Sequence, residues 1–223
     1  MRTIRSYVKR KGRITDGQNL AIKNLWSNYG VDFKKEILHL PSLFCNENPV
    51  HLEVGFGDGE SLIKQAQLSP KNNYIGIEVH DPGIGHCLLQ IENYNLSNIK
   101  IFSHDAIEVL EEQIGDASLE RINIYFPDPW PKKKHHKRRI IQLAFLDLLY
   151  DKLFSKGLLC IATDWKNYKE HINFLIKKNG KFKPIQYHEH KGDKAIDRPT
   201  SKFEQRGLKK GHKIWDWQLQ KNS

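Results

Sequence analysis

In the stretch NIYFPDPWPKKKHHKRRI, Asn123 to Ile140, an apolar strand runs into a turn that holds one carboxylate, Asp128, between two prolines. Pro127 and Pro129 restrict the backbone on both sides, so the carboxylate is presented from a rigid loop. Such a carboxylate suits a base with two donors on one edge, as guanine has in N1–H and its exocyclic amine. Lys132, Lys133, Lys134, Lys137, Arg138 and Arg139 follow at once, and cations beside a presented base find phosphates, which position a nucleic acid without reading its sequence. Taken singly, Pro-Asp-Pro is a turn and a charge run is a solvated face. Together they imply a nucleic acid whose base reaches Asp128.

A second constellation is HLEVGFGDGES, Gly-rich at the end of a strand and opening a helix. Gly55, Gly57 and Gly59 permit a tight turn and close approach to a nucleotide-derived ligand. Glu60 occupies the position that would complete G-x-G-x-x-G, and a bulky carboxylate there argues against a pyrophosphate and hence against NAD. Glu53, just inside the strand, argues the same way, since a carboxylate suits a cation. S-adenosylmethionine, with an ammonium, a sulfonium and no phosphate, fits both. Glu78, at the end of the second strand in YIGIEVHD, is placed to accept ribose hydroxyls. Asp105, in SHDAIEVL after the third strand, faces the adenine, caps a helix, or does both. Guanine N7 has an exposed lone pair and no proton. Methylating it needs no deprotonation, so Asp128 is expected mainly to orient the ring and stabilise its developing positive charge, with a general-base role the less favoured alternative. The base is expected in a loop or flipped out of its stack.

Five short β-rich runs carry these residues to one edge: Val50–Val54, Tyr74–Glu78, Ile99–Ser103, Arg121–Phe126 and Leu158–Thr163. Helical segments alternate with them: one capped by Asp58 and running to Gln67, one with Pro82 in its first turn, one capped by Asp105 over Ala106–Ile114, and Lys137–Phe154 with an apolar stripe that stops before Gly157. Alternation of this kind implies a mainly parallel sheet covered on both faces, with ligands at the carboxyl ends of its strands. Two later runs, Phe182–His190 and Lys213–Leu219, read as an antiparallel hairpin flanking the loop RPTSKFEQRGLKKG. Residues 1–40 read as a basic arm with a short helix around Leu20–Tyr29, and 41–223 as one domain. Trp215 and Trp217 read as core packing, while Asp164, which closes the fifth strand in IATDW, is placed either to cap the helix from Trp165 onward or to face a substrate base.

The net charge is +10, and it is concentrated. Met1–Arg13 carries six basic and no acidic residues, Lys132–Arg139 six and none, and Lys191–Lys213 eight against three. The rest of the chain is net negative, so an acidic body wears three basic patches, an electrostatic footprint for phosphates. Cys45, Cys87 and Cys160 are odd in number and far apart, and neither C-x-x-C nor H-E-x-x-H occurs. That reads as a reducing cytosol without a zinc site. No secretory signal or membrane-length apolar run is present. A protein substrate would leave the basic patches unexplained; a non-catalytic RNA-binding protein on the same scaffold is opposed by the intact Glu53, Glu78 and Asp128.

The segments RSYVKRKGRIT, EVGFGDGES, GIEVHDPGIG, HDAIEVL, FPDPWPKKKHHKRR, ATDW and RPTSKFEQRG occur in this order and spacing. In this the chain resembles the bacterial tRNA (guanine-N7-)-methyltransferase family, from about Arg5 to Trp217. The resemblance implies a Rossmann-like class I methyltransferase fold, an α/β architecture with a mainly parallel seven-stranded sheet, helices on both faces and a C-terminal antiparallel hairpin. It implies a cytoplasmic, metal-free enzyme with tRNA as partner and S-adenosylmethionine as methyl donor, acting on guanosine 46 of the variable loop. Donor contacts would fall on Glu53, Gly55, Gly57, Glu78, Asp105 and Asp128, with Asp128 catalytic. Substrate contacts would fall on Lys132, Asp164, Ser201, Lys202, Phe203 and Glu204. Ser201 departs from the Thr more often expected, with the hydroxyl kept.

Overall fold

In the computed structural model, residues 4–8, 12–192 and 198–222 are described. Parts of two basic stretches lie outside the described residues: positions 1–3 and 9–11 of the arm, and Lys194. The strands are β1 (Gly30–Val31), β2 (Val50–Val54), β3 (Asn73–Glu78), β4 (Ile99–Ser103), β5 (Leu119–Tyr125), β6 (Leu153–Thr163), β7 (Phe182–His190) and β8 (Ile214–Lys221). They form one sheet in the order β1-β4-β3-β2-β5-β6-β8-β7. The pairs β1–β4, β4–β3, β3–β2, β2–β5 and β5–β6 are parallel, while β8 runs antiparallel between β6 and β7. The strand order reverses between β2 and β5, so the crevice for a ligand opens there.

The sheet has eight strands rather than the expected seven. Gly30 and Val31 pair with Ile101 and Phe102 and add a two-residue edge strand, too short to show as a β-rich run. It follows directly on α1 (Asp16–Tyr29), which begins earlier than Leu20 because Thr15 and Gln18 form a reciprocal capping box. Gly30 and Val31, inside the segment expected as an arm and short helix, thus join the sheet, and α1 packs against the domain beside them. Helix α3 (Glu60–Leu68) starts from Gly59, not Asp58, with φ +84 at the glycine. A Cβ at Gly59 would lie 2.5 Å from the Cys87 sulfur of α4 (Asp81–Asn93), so the turn and that helix close on each other only through glycine.

The expected helix over Lys137–Phe154 is instead a 3₁₀ turn, Lys133–Arg138, and a separate α6, Leu143–Lys152. Side chains satisfy the backbone in the break: Ile141 N–H donates to the Tyr168 hydroxyl (3.2 Å), and Gln142 Nε2 donates to the carbonyls of His136 and Arg139 (3.2 Å each). Gly157 does not follow a helix; β6 begins at Leu153 and runs through it. The main apolar core lies on the sheet face formed by Leu52, Val54, Ile122, Ile124, Leu159 and Ile161, and Trp215 and Trp217 pack into it. The facing residues of β2 and β5, Glu53 and Asn123, are polar and buried, and they lie beneath the crevice.

Candidate active site

The cavity at the switch point is lined by Val54, Gly55 and Gly57 from β2 and its turn, Ile77, Glu78 and Val79 from β3, His104 and Ala106 after β4, and Ile124 through Asp128 from β5. Ile140, Phe203 and the N-terminal residues Ser6 and Tyr7 complete it. Of the expected donor contacts, Gly55, Gly57, Glu78 and Asp128 therefore meet in one cavity.

Glu78 is fixed by the main chain. One carboxylate oxygen accepts from Gly57 N–H at 2.8 Å, the other from Val79 N–H at 2.7 Å and His80 N–H at 3.1 Å. The first oxygen keeps a lone pair for a ligand hydroxyl. Burial raises the Glu78 pKa, offset in part by these three N–H donors. Apolar Val54, Ile77, Ala106 and Ile124 beside that carboxylate form the surroundings that a nucleoside with a vicinal diol requires. The residues present thus fit S-adenosylmethionine.

Glu53 and Asp105 are brought close but not into the lining. Asp105 is 3% exposed and caps α5 (Ala106–Glu112) by accepting from Ile107 N–H at 2.9 Å, while its neighbours His104 and Ala106 line the cavity. Glu53 is 3% exposed beneath α3 and accepts from Gln65 Nε2 at 3.1 Å. Burial pushes its carboxyl up to about 8 despite hydrogen bonds from Ser61 and Gln65.

The Asp128 loop is more constrained than two prolines require. Phe126 and Trp130, which bracket it, both have positive φ (51° and 44°), a costly backbone for side chains with a Cβ. Arg139 holds the loop: its Nε donates to the Pro129 carbonyl at 2.9 Å, Nη2 donates to Asn167 Oδ1 at 2.6 Å, and the guanidinium lies 4.8 Å from the Tyr168 ring. At 2% exposure Arg139 does not belong to the phosphate-facing run, a correction to the sequence reading. Lys132, Lys133, Lys134 and Lys137 are exposed. Trp130 is also more than packing. Its indole donates to the Ser6 carbonyl at 3.1 Å, and Arg138 sits 5.1 Å over its ring. The N-terminal segment is thereby tied to the Asp128 loop, and Tyr7 enters the cavity lining.

The late segment comes to the same mouth from the other side. Ser201 caps α8 (Lys202–Lys209), its hydroxyl accepting from Glu204 N–H at 3.1 Å. Lys202 reaches across to the glycine turn and pairs with Asp58 and Glu60, both at 2.8 Å. Phe203 is 54% exposed over the cavity. Glu204 points the other way. It is 0% exposed and accepts from Arg198 Nη1 at 2.6 Å, so its carboxylate makes no contact with the cavity, contrary to its expected place among the substrate contacts. Asp164 lies outside this cavity and lines a neighbouring one with Trp165, His212 and Lys213; it sits 3.0 Å from His212 Nδ1.

Ser6, Tyr7 and His104 were not found from sequence as site residues, and Arg139 was read as a phosphate contact rather than as the brace of the Asp128 loop. His104 had one available signal, its place at a strand end beside Asp105. Ser6 and Tyr7 had only their place in the segment RSYVKRKGRIT, because the contact of Ser6 with Trp130 spans the chain.

Comparison with known proteins agrees with this geometry. A family model described as "Putative methyltransferase" matches residues 47–217. The tRNA (guanine-N(7)-)-methyltransferase of Vibrio cholerae is 42% identical over 224 residues, covering 100% of this chain and 94% of its own. That of Idiomarina loihiensis is 44% identical over 222 residues, with 100% and 91% covered, and that of Escherichia coli 44% over 216, with 97% and 90%. Among solved structures, an antibiotic-related methyltransferase superposes with a TM-score of 0.60 at 18% identity, covering 85% of this chain and 96% of its own. A 30S ribosomal A1408 methyltransferase from an uncultured bacterium gives 0.54 at 14%, covering 96% and 98%. At such identities the structures share the fold alone, whereas the sequence relatives extend over the whole chain. With the strand-end cavity and the Asp128 loop in place, this chain belongs to the tRNA (guanine-N(7)-)-methyltransferase family.

Proposed function

We propose that this enzyme methylates N7 of guanosine 46 in the variable loop of tRNA, with S-adenosylmethionine as donor. The observation that carries the reading is the meeting of Asp128 with Gly57 and Glu78 in one cavity, beside the exposed lysines of the 3₁₀ turn. When bound, the donor supplies an electrophilic methyl carbon: the N7 lone pair forms the new C–N bond, the C–S bond breaks, and its electron pair stays on sulfur as S-adenosylhomocysteine.

The chain's own residues then divide the work. Glu78 and the Gly55–Gly57 backbone seat the nucleoside of the donor, while Glu53 and Asp105 support that seat from beneath through α3 and the α5 cap. Asp128 accepts from the Watson–Crick edge of guanine and balances the positive charge that the ring acquires. No proton need leave, because N7 carries none. Phe203 offers an exposed ring at the mouth on which a base can stack. Lys132 and its neighbours hold phosphates, while Asp164, Ser201 and Lys202 line the approach. Of residues 1–40, those before α1 act as a basic arm, while α1 and β1 pack as part of the single methyltransferase domain. A tRNA substrate places the enzyme in the cytoplasm.

Incubation with labelled S-adenosylmethionine and an unmodified tRNA transcript, beside one with guanosine 46 changed to adenosine, tests this directly. Label is expected on the first only, mapping to N7 of that guanosine. Label on both transcripts moves the target, and label on neither removes the reading.

A further inference from the structure

Under the late segment lies a group of charges that the reaction does not use. Arg198, His190, Glu204 and Asp216 are each no more than 6% exposed. Arg198 donates from Nε to Asp216 Oδ1 at 2.7 Å and from Nη2 to Asp216 Oδ2 at 3.2 Å, a two-pronged pair with β8. Its remaining edge donates to Glu204 at 2.6 Å and to the Pro199 carbonyl at 3.3 Å. The guanidinium also stands 5.3 Å from the Tyr125 ring and 5.4 Å from the Phe126 ring. Phe126 is the left-handed residue from which the Asp128 loop departs. Glu204 lies in the first turn of α8, whose preceding residues, Lys202 and Phe203, project to the glycine turn and the cavity.

Stability alone does not account for this arrangement. Buried ion pairs forfeit hydration and are commonly matched by apolar residues of similar volume, so burying three charges is a poor route to a firmer fold. What a guanidinium supplies that an apolar side chain does not is fixed direction: a planar fork along its edge and contact surfaces on its faces. Here the edge is committed to β8 and α8, and the rings it meets belong to the end of β5.

We propose that Arg198 is a positioning residue for methyl transfer, a single rigid group that sets α8 and the Asp128 loop at their working separation. It acts through Glu204 on the segment Ser201–Phe203 and through Phe126 on Asp128, and it touches neither donor nor guanine. The inference rests on the methyl-transfer reading above. It also gives Glu204 a role, as the inward anchor of the helix that carries Phe203.

The test compares wild type with Arg198→Lys, which keeps the charge and loses the fork, and with Glu204→Gln, which keeps shape and loses the charge. Three quantities are read on folded protein: kcat at saturating tRNA and donor, the Kd for S-adenosylhomocysteine, and hydrogen exchange by peptide. In Arg198→Lys, kcat falls about 100-fold, the loss expected from misplacement on the order of 1 Å. The Kd stays within about threefold, because the Glu78 side of the cavity does not touch Arg198. Exchange rises together in peptides covering 126–130 and 199–209. Glu204→Gln shows the same pattern more weakly, and it provides the reading if Arg198→Lys does not fold. A kcat within about threefold of wild type, or exchange that rises in 199–209 alone, overturns the proposal. Wild-type protein that binds S-adenosylhomocysteine but leaves tRNA unlabelled defeats the underlying reading instead, so the two failures are distinct.

Discussion

The two sides of the cavity are held by different kinds of bond. On the side proposed for the donor the main chain does most of the work: Glu78 is fixed by three backbone N–H groups, and Gly55 N–H donates to the Ile77 carbonyl at 2.8 Å. On the side proposed for the acceptor the fixing contacts run between side chains, most of them far apart in sequence. Arg139 meets Asn167, Arg198 meets Glu204 and Asp216, Lys202 meets Asp58 and Glu60, and Asp164 meets His212. A main-chain seat is as rigid as the sheet that presents it. The exposed ion pairs of Lys202 with Asp58 and Glu60 contribute little stability and weaken with salt, whereas Arg139 and Arg198 are buried. The donor side is thus preformed throughout, and on the acceptor side the Lys202 contacts are the adjustable part.

The largest effects should come from the point where the two sides meet. Asp128→Ala is expected to lower kcat by about 10²–10³-fold, the usual cost of removing a preorganised charge from the reacting centre, while tRNA and donor still bind. Turnover near that of wild type would break the comparison, because Asp128 would then belong to neither seat. Next comes Glu78→Gln. An amide cannot accept from three N–H donors as a carboxylate does, and one of its termini becomes a donor facing N–H groups. Affinity for S-adenosylhomocysteine, measured by calorimetry, should fall about 10- to 100-fold, in line with charged hydrogen bonds worth about 1.5–3 kcal/mol. The Kd for tRNA should hold steady. Equal losses for both ligands would show that the two seats are not separable.

The same difference explains what could be read from the chain. β2, β4 and β7 were legible to the residue because their runs are bounded by turn formers, and the glycine turn because strand, glycines and helix are contiguous. Glu78 was legible from its spacing after Gly55. The break between the 3₁₀ turn and α6 was not. It depends on Tyr168 and Gln142 accepting and donating where a helix would close on itself, and only the first apolar stripe is local. Asp105 and Glu53 were correctly placed at strand ends, yet strand position does not say whether a carboxylate turns up to a ligand or down to a cap. The burial of Arg139 within a basic run, and of Glu204 within a polar loop, follows from partners at Asn167, Arg198 and Asp216 that no spacing rule connects.

A smaller effect probes the acceptor side through salt. Replacing Lys132, Lys133 and Lys134 together with Gln should weaken binding of all tRNAs. It should also reduce the slope of log K against log salt by about two to three, since each of the three phosphate contacts releases about 0.7–0.9 of a counterion. The donor Kd should not change. Binding titrations between low and physiological salt give the slope directly, and an unchanged slope would take these exposed lysines out of the interface.

The smallest effect on activity, and the sharpest view of the donor side, is expected at Glu53. Its carboxyl is raised from 4.5 to about 8 by burial, so the folded protein holds this proton more tightly than the unfolded chain does. The sign follows: the stability linked to Glu53 is full below about pH 4.5, declines as pH rises, and is lost once pH passes about 8. Gln65 Nε2 donates to Glu53, and Gln65 Oε1 accepts from Asn123 at 3.2 Å, a chain that a glutamine carbonyl at position 53 can keep. Glu53→Gln should therefore match wild type in acid and exceed it near pH 8 by on the order of a few kcal/mol. Urea midpoints across that pH range measure the difference, and parallel curves for the two proteins would mean that Glu53 is ionised and paired in the fold. A neutral Glu53 completes the contrast, since the donor seat then rests on hydrogen bonds and the acceptor seat on charge.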